Sequence, residues 1–428
     1  MRFAEAEADL DARQPQRMVP DLDRITALAD LLDHPERTYP SIHVTGTNGK
    51  TTTARLIARI LCAHGLAAGL YTSPHLSSVT ERVALCEDPI DEDEFAEVYE
   101  HLRPYLREVD GRGEERVTYF ETLTALAYLW FADKPVDAGV FEVGMGGAWD
   151  ATNLIPSRVA VVCSIDLDHP ELGSTVEEVA REKAAIIKDH ATAVIQDTGD
   201  DALPVIEDRA REVEATLVLR GRDYTLLERT PAVGGQRITV AGLHAAYEGF
   251  LLPLHGAHQA ENAATATAAS EAFLGRALDE DALRQALDGA TSPGRLEVVS
   301  RHPLVVLDGA HNPEAAGALA AALPEAFTWR DLHLVVGVLE RKDVGGILGR
   351  VGPLATRAYA CANQNPKSVP ADRMAAACRA AGIADVSEHP TVAEALDAAE
   401  AAAGPEDLLL VTGSLYTVAD ARPRYVID

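Results

Sequence analysis

Apolar runs that are continuous rather than alternating mark the predicted strands in the first part of this chain. Three such runs are 39–44, 138–143 and 158–165, and stretches with apolar residues at helical spacing, such as 121–132 and 176–187, separate them. Strands that are apolar on both faces are typical of a parallel sheet covered by helices. The pattern therefore predicts an α/β fold built on a parallel sheet.

A second series of strands begins near residue 297, with alanine-rich helical patterns between its members. The predicted strands of this series are 303–308, 332–337 and 408–413. They indicate a second, smaller α/β domain, with Pro293-Gly294-Arg295 as the expected junction. We therefore predict two domains, 1–296 and 297–428. The stretch from 200 to 255 carries mixed β signals and is assigned no pattern.

The length of the chain agrees with two domains, because 428 residues exceed what one hydrophobic core usually holds. Hydrophobic residues make up 47% and charged residues 25% of the sequence, which is typical of globular proteins. The sequence contains no run of about 18 uncharged apolar residues, so no membrane-spanning helix is predicted. The acidic N-terminus lacks the apolar core of a signal peptide, and we expect a cytoplasmic protein with no membrane partner.

Acidic residues greatly outnumber basic ones. There are 67 Asp and Glu against 38 Lys and Arg, which gives a formal net charge of −29. A field of this sign disfavours nucleic-acid binding, because such binding requires phosphates to be neutralised. Only six of the cations are lysines. This composition predicts adaptation to concentrated salt, and an acidic protein of a high-GC mesophile is the alternative.

The cysteines are odd in number, widely spaced and without a Cys-x-x-Cys pair. This pattern predicts reduced thiols in a cytoplasm and no zinc site. The five are Cys62, Cys86, Cys163, Cys361 and Cys378.

A glycine-containing loop, Gly46-Thr47-Asn48-Gly49-Lys50-Thr51, follows the first strand and precedes a helical pattern. Backbone N–H groups of such a turn at a helix N-terminus bind phosphate. Lys50 is expected to neutralise phosphate charge, and the Thr51 hydroxyl is a candidate ligand for Mg²⁺. The spacing departs from the usual phosphate-binding loop, because Val44 stands where the first glycine belongs. The candidate nucleotide-binding residues here are Gly46, Thr47, Asn48, Gly49, Lys50, Thr51 and Thr52.

The segment from Ile42 to Thr51 resembles the phosphate-binding loop of the Mur ligase superfamily and is most similar to the folylpolyglutamate synthase and dihydrofolate synthase branch. Further blocks on both sides of this loop occur in the family's order, from Leu22-Asp23-Arg24-Ile25 to Thr412-Gly413-Ser414-Leu415-Tyr416. The resemblance implies a P-loop-type parallel-sheet ATPase domain followed by a smaller Rossmann-like α/β domain. It also implies an ATP-dependent amide ligase that joins L-glutamate to dihydropteroate or a reduced folate through an acyl phosphate.

Four residues complete the metal site that the resemblance implies around Thr51. Glu142 ends an apolar strand at the edge where parallel sheets bind ligands, and a buried carboxylate there needs a cation. Ser73 and His169 match the family's metal-binding positions. Lys183 matches the lysine that is commonly carbamylated in the superfamily, which turns it into an anionic oxygen ligand. One or two Mg²⁺ ions are expected, and K⁺ is a further candidate.

The resemblance places three residues near the substrates. Arg82 matches the position near the incoming amino acid, and Phe120 matches the position that borders the pterin pocket. Asp150 belongs to a loop that approaches the pterin in the family. The family usually has Arg-Leu before this aspartate, whereas this chain has Ala148-Trp149.

Further candidates lie toward the end of the chain. Asn262 matches the asparagine whose side chain reads adenine, and an amide supplies both a donor and an acceptor for that purpose. Arg295 is suited to a bidentate clamp on phosphate. The resemblance places Asp308 at ATP and His311 near glutamate and the acyl phosphate. The catalytic candidates are Lys50, Lys183, Asp308 and His311.

The sequence leaves alternatives open. It does not separate addition of the first glutamate to dihydropteroate from extension of tetrahydrofolate by further glutamates. A Mur-type ligase acting on a UDP-muramyl substrate is a second hypothesis, against which the blocks at Phe120, Asp150 and Asp308 argue. A non-catalytic nucleotide-binding protein is a third, and the intact set of metal-site residues argues against it. We expect a monomer whose partners are small molecules.

Overall fold

The computed structural model describes residues 1–15, 19–113, 115–168 and 170–426. The chain forms two compact units. The first comprises Met1–Arg229, Ile238–Leu251 and Ala260–Ala290, and the second comprises Thr230–Arg237, Leu252–Gln259 and Thr291–Asp428. Each unit is made of several separate segments of the chain, so the units do not correspond to two consecutive domains. The predicted domain boundary after residue 296 stays a prediction.

An eight-stranded sheet forms the centre of the first unit. Its strands are β1 (Ser41–Thr45), β2 (Ala68–Tyr71), β3 (Val83–Leu85), β4 (Asp88–Pro89), β5 (Ala138–Glu142), β6 (Val159–Ser164), β7 (Thr192–Asp197) and β8 (Thr216–Leu219). They are arranged in the order β4-β3-β2-β5-β1-β6-β7-β8. The pairings of β3 are antiparallel and those among the other neighbours are parallel.

The central strands are buried along their whole length. Every residue of β1 and β5 is buried, as the continuous apolar runs predict. Because β1 pairs in parallel with both β5 and β6, the carboxyl ends of these three strands meet at one edge of the sheet. The predicted α/β fold class is confirmed. This edge is also where the phosphate loop begins.

Helices cover the sheet, and two separate apolar clusters hold them in place. The helices of this part of the chain are α1 (Phe3–Asp11), α2 (Asp23–Leu31), α3 (Lys50–Ala63), α4 (Glu92–Asp110), α5 (Tyr119–Asp133), α6 (Val176–Ala184) and α7 (Gly199–Glu212). One cluster joins α1, α2, α4 and α5 to strand residues such as Tyr71 and Phe141. The other joins α6 and α7 to strand residues such as Val162 and Ile195.

Helix α5 illustrates how local sequence sets a boundary. The Thr118 hydroxyl accepts from the Glu121 N–H (3.3 Å), and the Glu121 carboxylate accepts from the Thr118 N–H (2.8 Å). This reciprocal capping box starts the helix. Glu121 is buried and also forms an ion pair with Arg24 at 3.0 Å, so its charge is compensated.

Residues 200–255, for which the sequence predicts no pattern, contain most of α7, all of β8 and a three-stranded sheet. Its strands are β9 (Thr225–Ala232), β10 (Gly235–Ala241) and β11 (Ala246–Leu252), in the order β11-β10-β9. Helices α8 (Ala257–Leu274) and α9 (Glu280–Asp288) follow. The alternation of buried and exposed positions in β11 is typical of a strand with one solvated face.

A six-stranded sheet forms the centre of the second unit. Its strands are β12 (Glu297–Arg301), β13 (Leu304–Leu307), β14 (Leu332–Val336), β15 (Arg357–Cys361), β16 (Asp385–His389) and β17 (Leu408–Thr412), in the order β12-β13-β17-β14-β15-β16. Only β12 pairs antiparallel. Its helices are α10 (Pro313–Ala326), α11 (Val344–Val351), α12 (Ala371–Ala380), α13 (Val392–Ala402) and α14 (Leu415–Ala421).

The cysteines differ from the prediction. Cys62, near the end of α3, forms a disulfide with Cys86, between β3 and β4, with their Cα atoms 5.9 Å apart. The expectation of reduced thiols is therefore wrong for this pair, because the fold brings together residues separated by 24 positions. Cys163, Cys361 and Cys378 are free and buried.

Among the described residues, no helix combines the length and the apolar character needed to cross a membrane.

Candidate active site

The phosphate loop joins β1 to α3 and depends on two glycines. Gly46 and Gly49 have φ angles of 153° and 86°, a region that other residues rarely adopt. A Cβ atom on Gly46 would lie 2.7 Å from Cβ of Cys163, and one on Gly49 would lie 2.7 Å from Oδ1 of Asn262. The loop therefore needs glycine both for its backbone shape and for its close approach to β6 and α8.

Hydrogen bonds tie this loop to the end of β6. The Thr47 N–H donates to the carbonyl oxygen of Ser164 (2.7 Å), and the Asn48 N–H donates to the Ser164 hydroxyl (3.1 Å). The Thr47 hydroxyl donates to the Asp166 carbonyl oxygen (3.0 Å). Sequence reasoning missed Ser164 as a residue that shapes the loop. Ser164 is the last residue of β6, and only the strand order of the folded sheet places β6 beside β1.

Backbone carbonyl groups of the phosphate loop hold the side chain of Lys50 in place. Its Nζ atom donates to the carbonyl oxygens of Gly46 (2.8 Å) and Thr47 (3.2 Å). The side chain is half-buried. The ammonium group therefore lies beside the backbone turn that would receive a phosphate.

Glu142 brings three of the predicted metal-site residues together. Its Oε1 accepts from the Thr51 hydroxyl (2.7 Å), and its Oε2 accepts from the Ser73 N–H (3.0 Å). The register of the sheet explains why they meet, since Glu142 is paired with Val44, two residues before the loop begins at Gly46. Glu142 is 1% exposed, so its carboxylate depends on these polar contacts.

Lys183 is buried in the last turn of α6. Burial lowers the pKa of Lys183 to about 7, and the positive charge of Lys50 makes a smaller contribution in the same direction. The negative charges of Asp168 and Glu182 oppose this shift. A substantial fraction of the side chain is therefore a neutral amine at neutral pH, which is the nucleophilic form that carbamylation requires.

Oxygen donors dominate the Glu142 cluster, and such donors suit a hard cation such as Mg²⁺. The fit rests on the Thr51 hydroxyl and the Glu142 carboxylate, whose oxygen atoms are 2.7 Å apart. In the part of the chain that the structure describes, no group of three or more His, Cys, Asp or Glu side chains is arranged to hold a metal ion. His169 lies outside the described residues.

The predicted substrate residues Arg82 and Phe120 lie in polar and aromatic surroundings. Arg82 Nε donates to Nδ1 of His75 (2.9 Å), and its guanidinium lies 5.3 Å from the centre of the Tyr119 ring. Burial lowers the pKa of His75 to about 4, and the positive charge of Arg82 makes a smaller contribution in the same direction. The imidazole is therefore neutral at neutral pH and accepts this hydrogen bond. The Phe120 ring packs against Gly144, where a Cβ atom would lie 2.5 Å from it.

Asp150 organises the loop that follows β5. Its carboxylate accepts from the N–H groups of Met145 (2.9 Å) and Thr152 (3.0 Å) and from the Thr152 hydroxyl (2.5 Å). Burial raises the pKa of Asp150, and these hydrogen bonds oppose the increase. The Ala148-Trp149 segment is held by the same loop and by α6, since the Ala148 N–H donates to the Glu182 carbonyl oxygen (3.0 Å).

Asn262 lies on α8 and is 3% exposed. Its Oδ1 accepts from Nε2 of Gln196, at the end of β7, at 3.1 Å. The first unit thus brings Asn262 together with the loop, through the close approach to Gly49 described above. Sequence reasoning missed Gln196, which belongs to no motif.

The remaining candidates lie together in the second unit. Asp308 follows β13, and its carboxylate accepts from the N–H groups of Leu296 (2.9 Å) and Ala310 (2.8 Å). Burial raises the pKa of Asp308, and the charge of Arg295 opposes the increase. His311 Nδ1 lies 2.9 Å from the carbonyl oxygen two residues earlier. These residues form a second cluster of polar groups at the carboxyl end of a parallel strand.

Sequence profiles of known families match most of the chain. Residues 44–270 match the Mur ligase middle domain, and residues 294–415 match the Mur ligase glutamate ligase domain. A Mycobacterium tuberculosis protein named dihydrofolate synthase/folylpolyglutamate synthase is 39% identical over 98% of this chain and 93% of its own length. The chain belongs to the dihydrofolate synthase/folylpolyglutamate synthase family of Mur ligases. The predicted family is confirmed, and the chain is an enzyme of the ligase class.

Solved structures agree with this assignment. The folylpolyglutamate synthase of M. tuberculosis complexed with ADP superimposes with a TM-score of 0.95 at 39% identity and covers 100% of this chain and 98% of its own. Escherichia coli FolC in complex with DHPP and ADP has a TM-score of 0.88 at 32% identity and covers 99% of this chain and 97% of its own.

Proposed function

We propose that this chain is an ATP-dependent ligase that joins L-glutamate to the carboxylate of dihydropteroate or a reduced folate. The observation that carries the proposal is the contact of Glu142 with Thr51 and Ser73 beside a glycine loop over which Lys50 is held. The names of the M. tuberculosis relative and the ADP complexes of the solved structures support the same reactants.

In the proposed first step, a carboxylate oxygen of the pterin attacks the γ-phosphorus of ATP, the bond to the bridging oxygen breaks, and ADP leaves. Phosphoryl transfer of this kind depends on positioning and on electrostatic stabilisation. The loop N–H groups hold the phosphates, and Lys50 offsets their charge. When bound, one or two Mg²⁺ ions, or Mg²⁺ with K⁺, would neutralise further phosphate charge. The proposed ligands are Thr51, Ser73, Glu142, His169 and carbamylated Lys183.

In the second step, the amine of L-glutamate attacks the acyl carbon, phosphate leaves from the tetrahedral species, and the new amide nitrogen releases a proton to solvent. We propose that Asn262 contacts adenine, that Arg295 binds a phosphate group and that Asp308 contacts ATP. The proposed role of Arg82 is at the incoming amino acid, and that of His311 is at the amino acid and the acyl phosphate. Phe120 and Asp150 are proposed to border the pterin. Burial of the acyl phosphate limits its hydrolysis by water.

ADP release by the purified chain tests the proposal. The assay contains Mg-ATP, L-glutamate and molar KCl, with dihydropteroate and tetrahydrofolate supplied separately and product masses recorded. One glutamyl unit added to dihydropteroate supports dihydrofolate synthase activity, and a ladder of glutamates on tetrahydrofolate supports folylpolyglutamate synthase activity. Reactions without L-glutamate are the control, because ATP hydrolysis alone yields ADP and no amide.

Folded protein that binds ATP but forms no amide with either pterin would contradict the proposal. The substitution of Arg-Leu by Ala148-Trp149 makes a UDP-muramyl carboxylate the next substrate to assay in that case. We further propose that the chain works as a monomer in the cytoplasm. Light scattering coupled to size-exclusion chromatography tests the oligomeric state.

A further inference from the structure

The Cys62–Cys86 disulfide joins α3 to the corner between β3 and β4, and both of its cysteines are half-buried. The other three cysteines, Cys163, Cys361 and Cys378, are free and buried. Burial raises the pKa of each of these three thiols, so the reactive thiolate form is scarce at neutral pH. The bonded pair is therefore the cysteine site of this chain that small molecules in solution reach most readily.

A second contact links the same two elements. Glu87, which directly follows Cys86, forms ion pairs with Arg59 and with Arg55, and its distance to the Arg55 guanidinium is 3.7 Å. Arg55, Arg59 and Cys62 are spaced by four and three positions along α3, so they share one face of this helix. The side chains of both arginines are 19% exposed and that of Glu87 is 23% exposed, so solvent screens the ion pairs only in part.

The corner is thus held by contacts that do not involve sulfur. Besides the ion pairs of Glu87, the Cys86 N–H donates to the carbonyl oxygen of Ala68 in β2 (2.7 Å). Two groups that are already held together react with each other at a high effective concentration. We therefore expect the thiols of a reduced pair to stay close enough to be oxidised again, with Glu87 as the side chain that bridges to α3.

We propose that Cys62 and Cys86 form a reversible exchange site for small-molecule thiols and disulfides, and that Glu87 positions Cys86 for closure of the bond. In reduction, a small thiolate attacks one sulfur atom, the protein S–S bond breaks, and the released cysteine takes a proton from solvent. A second small thiolate attacks the mixed disulfide, the other cysteine is released and protonated, and a small-molecule disulfide leaves. The protein gains two electrons and two protons, and two small thiols are oxidised.

Opening of the bond acts on the hairpin at the edge of the sheet. Strand β3 starts directly after Arg82, so the hairpin anchors the end of the loop that this arginine closes. Strand β4 is the outermost strand and comprises only Asp88–Pro89, so little backbone pairing holds the far side of the corner. The disulfide supplies attachment that so short a strand does not, and reduction is expected to let residues 83–90 open more often.

The first experiment measures the equilibrium constant for bond formation in glutathione buffers, with thiols trapped by iodoacetamide and counted by mass. The native reduced wild type should take up two alkyl groups and the oxidised chain none. Glu87→Gln keeps the shape but removes the charge, and it is expected to lower the equilibrium constant about fivefold in about 0.1 M KCl. Asp88→Asn, at the next and exposed position, is the matched control and should leave it unchanged.

Salt and hydrogen exchange provide two further readouts. Because salt screens ion pairs, the equilibrium constants of the wild type and of Asp88→Asn should fall toward that of Glu87→Gln in about 1 M KCl. Amide hydrogens of residues 83–90 should exchange faster in the reduced wild type than in the oxidised wild type. A Cys62→Ser, Cys86→Ser double variant should show the same exchange with and without reductant.

A bond that glutathione buffers neither open nor close in the folded wild type would overturn the exchange site. Equal equilibrium constants for Glu87→Gln and the wild type at low salt would overturn the role of Glu87. If Glu87→Gln does not fold, a wild-type equilibrium constant that is independent of salt would overturn that role instead. Equal hydrogen exchange in the two redox states would overturn the effect on the hairpin. These readouts use neither ATP nor a pterin, so failure of the proposed function leaves them unaffected.

Discussion

At the residue scale, the active-site candidates differ in how the protein compensates their charge. The Glu142 carboxylate is buried and accepts hydrogen bonds from Thr51 and Ser73, whereas Lys183 is buried with its pKa lowered to about 7. Buried carboxylates that accept several hydrogen bonds and buried amines whose pKa is lowered are both concentrated at functional sites.

Replacing Glu142 tests the metal site. Glu142→Gln keeps the shape but removes the negative charge, and we expect ligation to fall by about 100-fold or more with a higher Mg²⁺ concentration needed for half-maximal rate. Glu228→Gln, at an exposed position of β9, is the matched control and should retain activity. Full activity of Glu142→Gln, with the same Mg²⁺ concentration needed for half-maximal rate as in the wild type, would contradict the proposed role of Glu142 as a metal ligand.

The pKa of Lys183 predicts a pH dependence of stability. The pKa is about 7 in the folded chain against an ordinary 10.5, so the unfolded chain binds more protons between these values. The stability cost of burying Lys183 is therefore complete below pH 7 and is relieved as the pH rises toward 10.5.

Lys183→Met removes this cost while keeping most of the side-chain volume. Its Tm relative to wild type, measured in CO₂-free buffer, should be most favourable at low pH and should become less so as the pH rises. Comparing the two chains at each pH cancels the groups that titrate in both. A Tm difference that is the same from about pH 6 to about pH 10 would contradict the lowered pKa.

At the element scale, the phosphate loop and the disulfide both involve α3. The loop enters this helix at Gly49, and Cys62 near its other end is bonded to Cys86 beyond β3. The helix is thus tied at one end to a strand hairpin and bordered at the other by the candidate nucleotide site.

Gly49→Ala and Gly65→Ala form a matched pair at the two ends of α3. Both glycines have positive φ, at 86° and 84°, so both variants carry backbone strain of about 1 kcal/mol. Only at Gly49 does the new Cβ meet another atom, Oδ1 of Asn262, since nothing lies within 4 Å of a Cβ on Gly65. We expect Gly49→Ala to weaken ADP binding about tenfold or more and Gly65→Ala to leave it unchanged, measured by calorimetry.

Reduction of the disulfide should lower stability. A bridge that spans 24 positions restricts the unfolded chain by about 3 kcal/mol in the chain-entropy treatment. Dithiothreitol is therefore expected to lower the Tm of the wild type to that of a Cys62→Ser, Cys86→Ser double variant. The double variant should not respond to the reductant, and a wild-type Tm that is equally insensitive would contradict a stabilising role for this bond.

At the scale of the whole molecule, the net charge of −29 is the dominant feature. Self-repulsion of like charges destabilises a compact chain, and salt screens it as the Debye length falls from about 10 Å at 0.1 M to about 3 Å at 1 M. We expect Tm to rise between dilute and molar KCl. Sucrose at equal osmolality is the control for excluded-solute effects, and an unshifted Tm in KCl would contradict the proposed adaptation to concentrated salt.

The sequence by itself determined the parts of this protein that depend on neighbouring residues. Continuous apolar runs predicted β1, β5 and β6, because a strand that is buried on both faces has no polar alternation. The glycine loop predicted a phosphate site, because its backbone shape depends on residues a few positions apart. The order of the motifs identified the family, which the comparisons confirm.

Tertiary structure alone decided the features that join distant positions. The Cys62–Cys86 disulfide, the hold of Ser164 on the phosphate loop and the contact of Gln196 with Asn262 follow from the register of the sheet and the packing of helices on it. The lowered pKa of Lys183 likewise requires knowledge of burial and of the charges around it. Such contacts leave no local pattern in the sequence, because their partners are chosen by the fold.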